Sequence, residues 1–226
     1  MKESRQLALE IILCFVICLI LTAVDVWCLR FSAPVPDIAW FCAVGSLVFL
    51  PLLMVRKIHP RDEKEAGLVF GLSLKNVLVG LAIVAGLLIP VAFGHYVFET
   101  QIQGAQFRLD FSALSLGATL YTCLIQVLCI ALPEEFFYRG YMQTGFIQVL
   151  KQHPKCKKYA VPLAIVMTAL FFAVSHLPSG NVTRLATFFP GLLFGFVRYK
   201  TDSLVPAILC HAGCNMMMVV LGVLYI

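Results

Sequence analysis

The 226-residue chain is too apolar for an ordinary soluble domain, because 61% of its residues are hydrophobic and only 13% are charged. Soluble globular domains have roughly half apolar residues and about a quarter charged residues. The apolar excess runs along the whole chain, which excludes a soluble domain carried by a single membrane anchor.

Seven apolar segments approach the roughly 20 residues that a helix needs to span a bilayer. They cover residues 7–29, 36–55, 76–98, 113–133, 160–177, 184–199 and 204–225. The first follows a short basic start, but its apolar run is too long for a signal peptide, so we expect a spanning helix. The pattern predicts an all-α, polytopic membrane bundle of about seven helices, within a range of six to eight. No linker or repeat divides the chain, so we expect one membrane domain over residues 1–226.

The basic residues predict the orientation of the bundle. With the N-terminus in the cytoplasm, 13 of the 17 Lys and Arg residues fall on the cytoplasmic side and three fall outside. Such a bias is typical of cytoplasmic loops. The same distribution accounts for the net charge of +5, so the charge gives no reason to expect a nucleic-acid partner.

The nine cysteines lie mainly in the apolar segments, where a thiol usually behaves as a small hydrophobic group. The CxxC and CxxH spacings of zinc ribbons and fingers are absent. Cys28 and Cys42 both fall near the predicted outer face, and the sequence leaves open whether a disulfide joins them.

Two adjacent carboxylates, Glu134 and Glu135, interrupt the apolar run of the fourth segment. Glu135 and Arg139 are four residues apart, so they share a helix face and can form an ion pair. Glu134 is turned about 100° away from that face. We therefore expect Glu135 and Arg139 to support the structure and Glu134 to be available for chemistry. The alternative is a purely structural charge cluster at a helix end.

Phe172 and His176 also share one helix face, at a spacing of four residues. Glu134 precedes Lys151 by 17 residues, and His176 follows Lys158 by 18. If the intervening loop closes an antiparallel hairpin, the carboxylate and the imidazole reach a similar depth and can hold a water molecule between them. Taken alone, a membrane histidine is more often structural.

His211 and Asn215 repeat this spacing in the last segment. An unpaired carboxamide in hydrocarbon costs about 4 kcal/mol, so Asn215 requires a partner. The pair is explained equally well as interhelical hydrogen bonding or as two donors that stabilise an oxyanion.

The remaining polar features are expected to be structural. Glu10 and Asp25 lie in the first segment, and we expect no partner for His95 at helical spacing. Gly191 and Gly195 form a G-x-x-x-G pattern, which favours close packing within the chain over dimerisation.

The set Glu134-Glu135-x-x-x-Arg139, Phe172-x-x-x-His176 and His211-x-x-x-Asn215 resembles the CAAX protease and bacteriocin-processing family of intramembrane endopeptidases. The resemblance covers roughly residues 113–220, with the site among the four C-terminal helices. It implies that Glu134 activates water with His176, and that His211 and Asn215 complete the catalytic set. Glu135, Arg139 and Phe172 would be supporting residues.

The resemblance also sets the expectations for cofactor, substrate and location. A metal-free mechanism is favoured, with zinc held by Glu134, His176 and His211 as the alternative. The substrate would be a membrane-associated protein, either prenylated and CAAX-like or a membrane-anchored tail, cleaved in a prokaryotic plasma membrane. A non-catalytic scaffold or immunity partner of the same fold is the main alternative function. A proton-coupled transporter is a further alternative, although the sequence has none of the internal repeats typical of such transporters.

Overall fold

The computed structural model describes residues 2–108 and 115–224 of the chain. The fold is 81% helical and contains no strand among the described residues, which confirms the predicted all-α class. The α-helices are α1 (Lys2–Cys28), α2 (Val35–Leu53), α3 (Leu74–Val97), α4 (Leu116–Ile125), α5 (Leu132–Glu135), α6 (Gln143–Lys151), α7 (Ala160–Val174), α8 (Phe188–Thr201) and α9 (Leu204–Gly222).

Six helical stretches are long and apolar enough to cross a membrane, which agrees with the predicted range of six to eight. Of the seven predicted segments, only 184–199 does not correspond to a helix long enough to cross a membrane. There the structure has a 3₁₀ segment, Val182–Thr187, followed by α8. The 14 residues of α8 span about 21 Å, which is short of the ~30 Å hydrocarbon core. Residues 113, 114 and 225 of the predicted segments lie outside the described residues.

The fourth predicted segment continues without a break as one helical stretch of 36 residues, Leu116–Lys151. Two π-helical segments occur within it, Gln126–Ala131 and Phe136–Met142. The second begins directly after Glu135. Short π-helical turns inside α-helices are frequent at functional sites, which draws attention to this part of the chain.

The chain divides into two compact units. The first unit consists of Met1–Phe70 and Pro133–Leu204. Within it, α1 packs on α2 and α6, and α7 packs on both α6 and α8. The contact between α6 and α7 is the one that an antiparallel hairpin around residues 152–159 requires.

Aromatic side chains form much of the core of the first unit. The ring of Phe171 meets Phe15 edge to face at 4.7 Å and stacks on Phe146 at 5.7 Å. These contacts join α1, α6 and α7 in one packed layer. Ile11 of α1 is fully buried, beside Gly145 of α6.

A buried polar cluster also holds α1 in the first unit, and it explains Glu10. The Glu10 carboxylate accepts hydrogen bonds from Arg61 at 2.6 Å and from the hydroxyl of Tyr141, and it lies 2.6 Å from His59 Nδ1. Gln6 in turn contacts the other nitrogen of His59. A carboxylate in an apolar helix is costly unless it is paired, and here several partners satisfy it.

The second unit consists of Gly71–Leu132 and Val205–Ile226. Ser73 and Ser115 cap α3 and α4 by accepting hydrogen bonds from backbone N–H groups, each at 3.2 Å. Small residues permit close packing of α3 on α9, because a Cβ at Gly80 would lie 2.9 Å from Leu209 and one at Gly213 would lie 2.6 Å from Val84.

His95 in α3 requires a correction. It lies 3.9 Å from Glu99, one helical turn further on, so the expectation that it lacks a partner at helical spacing is wrong. All nine cysteines fall in the described residues, and each is a free thiol, so Cys28 and Cys42 are not joined.

Many large apolar side chains point outward in both units. Phe49 in the first unit is 72% exposed, and Ile89 in the second is 81% exposed. So many exposed apolar side chains are characteristic of helices that face lipid. Such helices satisfy their backbone hydrogen bonds internally, as a bilayer requires. The chain is therefore an integral membrane protein.

Candidate active site

Glu135 and Arg139 form the ion pair that their spacing predicts. Arg139 Nη1 donates to Glu135 Oε1 at 2.9 Å, and neither side chain has exposed area. Arg139 Nη2 also donates to the backbone carbonyl of Gly191 at 3.2 Å, which ties the π-helical segment to α8. The buried charge is thus compensated by a carboxylate and by a backbone acceptor.

Three aromatic rings surround the Arg139 guanidinium. Its central carbon lies 4.4 Å from the ring centre of Phe172, 5.2 Å from Phe194 and 5.8 Å from Tyr138. A cation over an aromatic face is stabilised by the ring quadrupole, most strongly where water is excluded. Phe172 therefore has the supporting position that the sequence predicts for it.

A second side chain repeats the bond that Arg139 makes to α8. Gln143 lies four residues after Arg139, and its Nε2 donates to the carbonyl of Gly195 at 3.0 Å. A Cβ at Gly195 would lie 2.8 Å from Gln143 Oε1. The G-x-x-x-G pattern therefore serves packing within the chain, as predicted, because it brings two backbone carbonyls close to two buried side chains.

His176 lies just beyond the end of α7, and its ring orientation is fixed by Phe172. The imidazole meets the Phe172 ring edge to face at 4.9 Å, and Nδ1 lies 2.8 Å from the Phe172 carbonyl oxygen. Because a carbonyl oxygen can only accept, Nδ1 carries the proton in this contact. The neutral imidazole then has its lone pair on Nε2, which can accept a proton or bind a ligand.

Tyr138 lies one helical turn after Glu134, is buried, and packs against the end of α7. Near it, Ser175 donates its hydroxyl proton to the Phe172 carbonyl at 2.7 Å. The Tyr138 ring also meets Phe172 at 5.2 Å.

The second unit contains the remaining two residues of the predicted set. His211 is buried in α9. Asn215, one turn later, donates from Nδ2 to Gln126 Oε1 at 2.8 Å. Gln126 begins the first π-helical segment, and its side chain fixes the orientation of the Asn215 amide. One N–H of that amide stays available for another acceptor.

Within the first unit, the structure places five of the seven predicted residues on two contacting elements, the stretch around Pro133–Met142 and the end of α7. These five are Glu134, Glu135, Arg139, Phe172 and His176. His211 and Asn215 share one face of α9 in the second unit. A single catalytic set drawn from both groups stays a prediction.

A zinc site requires three or four His, Cys, Asp or Glu ligands close together. Among the described residues of either unit, no three His, Cys, Asp or Glu side chains are arranged to hold a metal ion. The first unit supplies Glu134 and the lone pair of His176 Nε2, and the second supplies His211. The three-residue zinc ligand set therefore also stays a prediction.

Sequence reasoning did not identify several residues that shape these groups. Tyr138 lies four residues after Glu134, and Gln143 lies four after Arg139, so helical spacing contained a signal for both. Gln126 is a carboxamide in an apolar segment, and such residues usually bond across helices. The Gly191 carbonyl gave no signal, because its role depends on a contact between segments 52 residues apart.

The fold and these polar groups define an integral membrane protein whose helices contain buried ionisable residues, which in membrane helices usually mark a functional site. Residues 116–217 match the family model described as "Type II CAAX prenyl endopeptidase Rce1-like". This match confirms the resemblance to the CAAX protease family, lies within the predicted range 113–220 and includes all seven motif residues. No curated protein and no solved structure matches the chain.

Proposed function

We propose that the protein is an intramembrane endopeptidase that hydrolyses a peptide bond of a membrane-associated substrate through water activated by Glu134 and His176. The observation that carries the proposal is the fixed imidazole of His176. Its Nδ1 proton is bound by the Phe172 carbonyl, which leaves the Nε2 lone pair for chemistry. The match to a family of CAAX endopeptidases supports the same reaction class.

The division of labour between the adjacent carboxylates supports the role of Glu134. Glu135 is fully buried and paired with Arg139, so its carboxylate is committed to the structure. Glu134 lies on another face and is partly exposed. A general base must reach both water and substrate, and of the two carboxylates only Glu134 retains exposed area, which supports this role.

The reaction follows from these roles. Glu134 takes a proton from water while His176 Nε2 holds the same water, and the water oxygen forms a bond to the carbonyl carbon of the substrate. The carbonyl oxygen becomes negatively charged, and His211 and Asn215 donate hydrogen bonds to it. The C–N bond then breaks as the leaving amine takes the proton from Glu134. Zinc, in the alternative reading, would polarise the carbonyl and acidify the water.

The substrate is proposed to be a prenylated CAAX-like protein or the membrane-anchored tail of another protein. We expect cleavage in a prokaryotic plasma membrane, with the N-terminus of the enzyme in the cytoplasm. The abundance of lipid-facing helices supports a membrane-associated substrate, because such a peptide reaches the protein by diffusion within the bilayer.

The experiment that tests this function is cleavage of synthetic membrane-anchored peptides by the purified protein in lipid. One peptide set carries a C-terminal CAAX sequence with a prenylated cysteine, and another carries an unmodified tail. Loss of cleavage in Glu134→Gln, with the fold intact, is the expected result. Folded wild-type protein that cleaves neither set would favour the scaffold, and proton flux in that case would favour the transporter.

A further inference from the structure

A cavity of about 420 Å³ lies in the first unit, beside the cytoplasmic ends that the charge bias predicts for α6 and α8. Lys64, Thr144, Lys151 and Arg198 line it together with Gln143. These residues come from the loop after α2 and from the two helices, so separate parts of the sequence converge on one space.

The charges around this cavity do not cancel. Arg198 pairs with Asp202 at 2.9 Å, and Arg139, which also lines the cavity, pairs with Glu135. Within the part of the chain that the structure describes, Lys64 and Lys151 form no ion pair. Two ammonium groups are therefore left to attract an anion into the cavity.

Two buried polar atoms of the lining also require partners. Among the described residues, neither Arg198 Nε nor Gln143 Oε1 has a hydrogen-bond partner. Arg198 is 8% exposed and Gln143 is 2% exposed, so bulk water does not satisfy these atoms freely. Buried polar groups in folded proteins are almost always hydrogen-bonded. A ligand that offers both an acceptor and a hydroxyl donor would satisfy both atoms.

We propose that this cavity binds a phosphate group, presented by the headgroup of an anionic phospholipid. Phosphate oxygens accept charge-assisted hydrogen bonds from ammonium and guanidinium groups. A glycerol headgroup adds the hydroxyl that Gln143 Oε1 needs. Basic pockets between membrane helices at the cytoplasmic face suit such headgroups, because this leaflet is enriched in anionic lipid. Free phosphate offers the same acceptor chemistry without the lipid chains.

The test uses the full-length protein in two arms. In the first, the protein is reconstituted into phosphatidylcholine vesicles that contain phosphatidylglycerol, and the masses of intact protein–lipid complexes are measured by native mass spectrometry. In the second, thermal unfolding in detergent is followed during titration with inorganic phosphate. The variant is Lys64→Gln with Lys151→Gln. The matched control is Lys155→Gln with Lys157→Gln, which removes the same charge from the same predicted face but not from the cavity.

Loss of two charge-assisted hydrogen bonds should weaken binding by roughly tenfold or more in the cavity variant. The control should stay within about twofold of the wild type, because Lys155 and Lys157 are exposed and do not line the cavity. Binding of phosphatidylglycerol alone would identify a lipid as the source, and binding of inorganic phosphate would identify a soluble one. Equal binding by the wild type and the cavity variant in both arms would overturn the proposal. Peptidase activity is not measured, so the result is independent of the proposed function.

Discussion

The guanidinium of Arg139 donates to Glu135 at 2.9 Å, and neither side chain is exposed at all. Glu134, the adjacent carboxylate, is partly exposed. Glu134 and Glu135 have the same side chain but different surroundings, because a rotation of about 100° separates them on the helix. This difference makes their roles separable by mutation.

Glu134→Gln should lower peptidase turnover by about 10²-fold or more while leaving the melting temperature nearly unchanged, since a general base is lost and no buried charge is exposed. Glu135→Gln should instead destabilise the fold by about 3 kcal/mol, because Arg139 loses its compensating charge. Peptide cleavage and thermal unfolding of both variants in the same detergent measure the two effects. Equal destabilisation in both variants would contradict the division of labour.

Gln126→Leu should reduce kcat by about tenfold with a smaller effect on KM. The substitution removes the acceptor that orients the Asn215 amide, and misplaced catalytic groups lose rate steeply. Gln126→Glu keeps an acceptor oxygen at the same position and should retain more activity than the leucine variant. If both variants lose activity in proportion to lost folded protein, Gln126 is structural only.

Gly195→Ala should destabilise the first unit by about 1–3 kcal/mol. The added Cβ would lie 2.8 Å from Gln143 Oε1 and 3.0 Å from Ile165, so the α7–α8 contact must open. Gly86→Ala in α3 is the control, because nothing lies within 4 Å of a Cβ there. Thermal unfolding of the two variants compares them directly, and similar melting temperatures would contradict the packing role of the glycine.

Tyr141→Phe should cost about 1–2 kcal/mol of stability, because the buried Glu10 carboxylate loses a hydroxyl donor while the ring still fills its space. Tyr159→Phe removes the same hydroxyl from a ring that is 54% exposed and should have little effect. Denaturation in detergent measures both changes. A neutral Tyr141→Phe would mean that Arg61 and His59 satisfy Glu10 without it.

The helices and the side-chain pairs within one helix could be predicted from the sequence, because both depend on local periodicity. The apolar runs located the helices because each run must match the thickness of the bilayer. The spacing of Glu135 and Arg139 predicted their ion pair, since a four-residue separation places both on one helix face. The spacing of Phe172 and His176 predicted their contact for the same reason.

Contacts between distant segments could not be predicted in this way. Tyr141 bonds to Glu10 across 131 residues, and Arg139 bonds to the Gly191 carbonyl across 52. A backbone carbonyl has no residue identity to read, so its role appears only when the fold brings it close. The π-helical segments were also missed, because side-chain periodicity does not report which backbone bonds form.

The role of Glu134 is tested most directly by cleavage of membrane-anchored peptides by purified wild-type protein, by Glu134→Gln and by chelator-treated wild type. We expect cleavage that survives chelation and is absent in the variant, with all three samples equally folded. Cleavage that persists in folded Glu134→Gln would contradict the assignment of Glu134 as the residue that activates water.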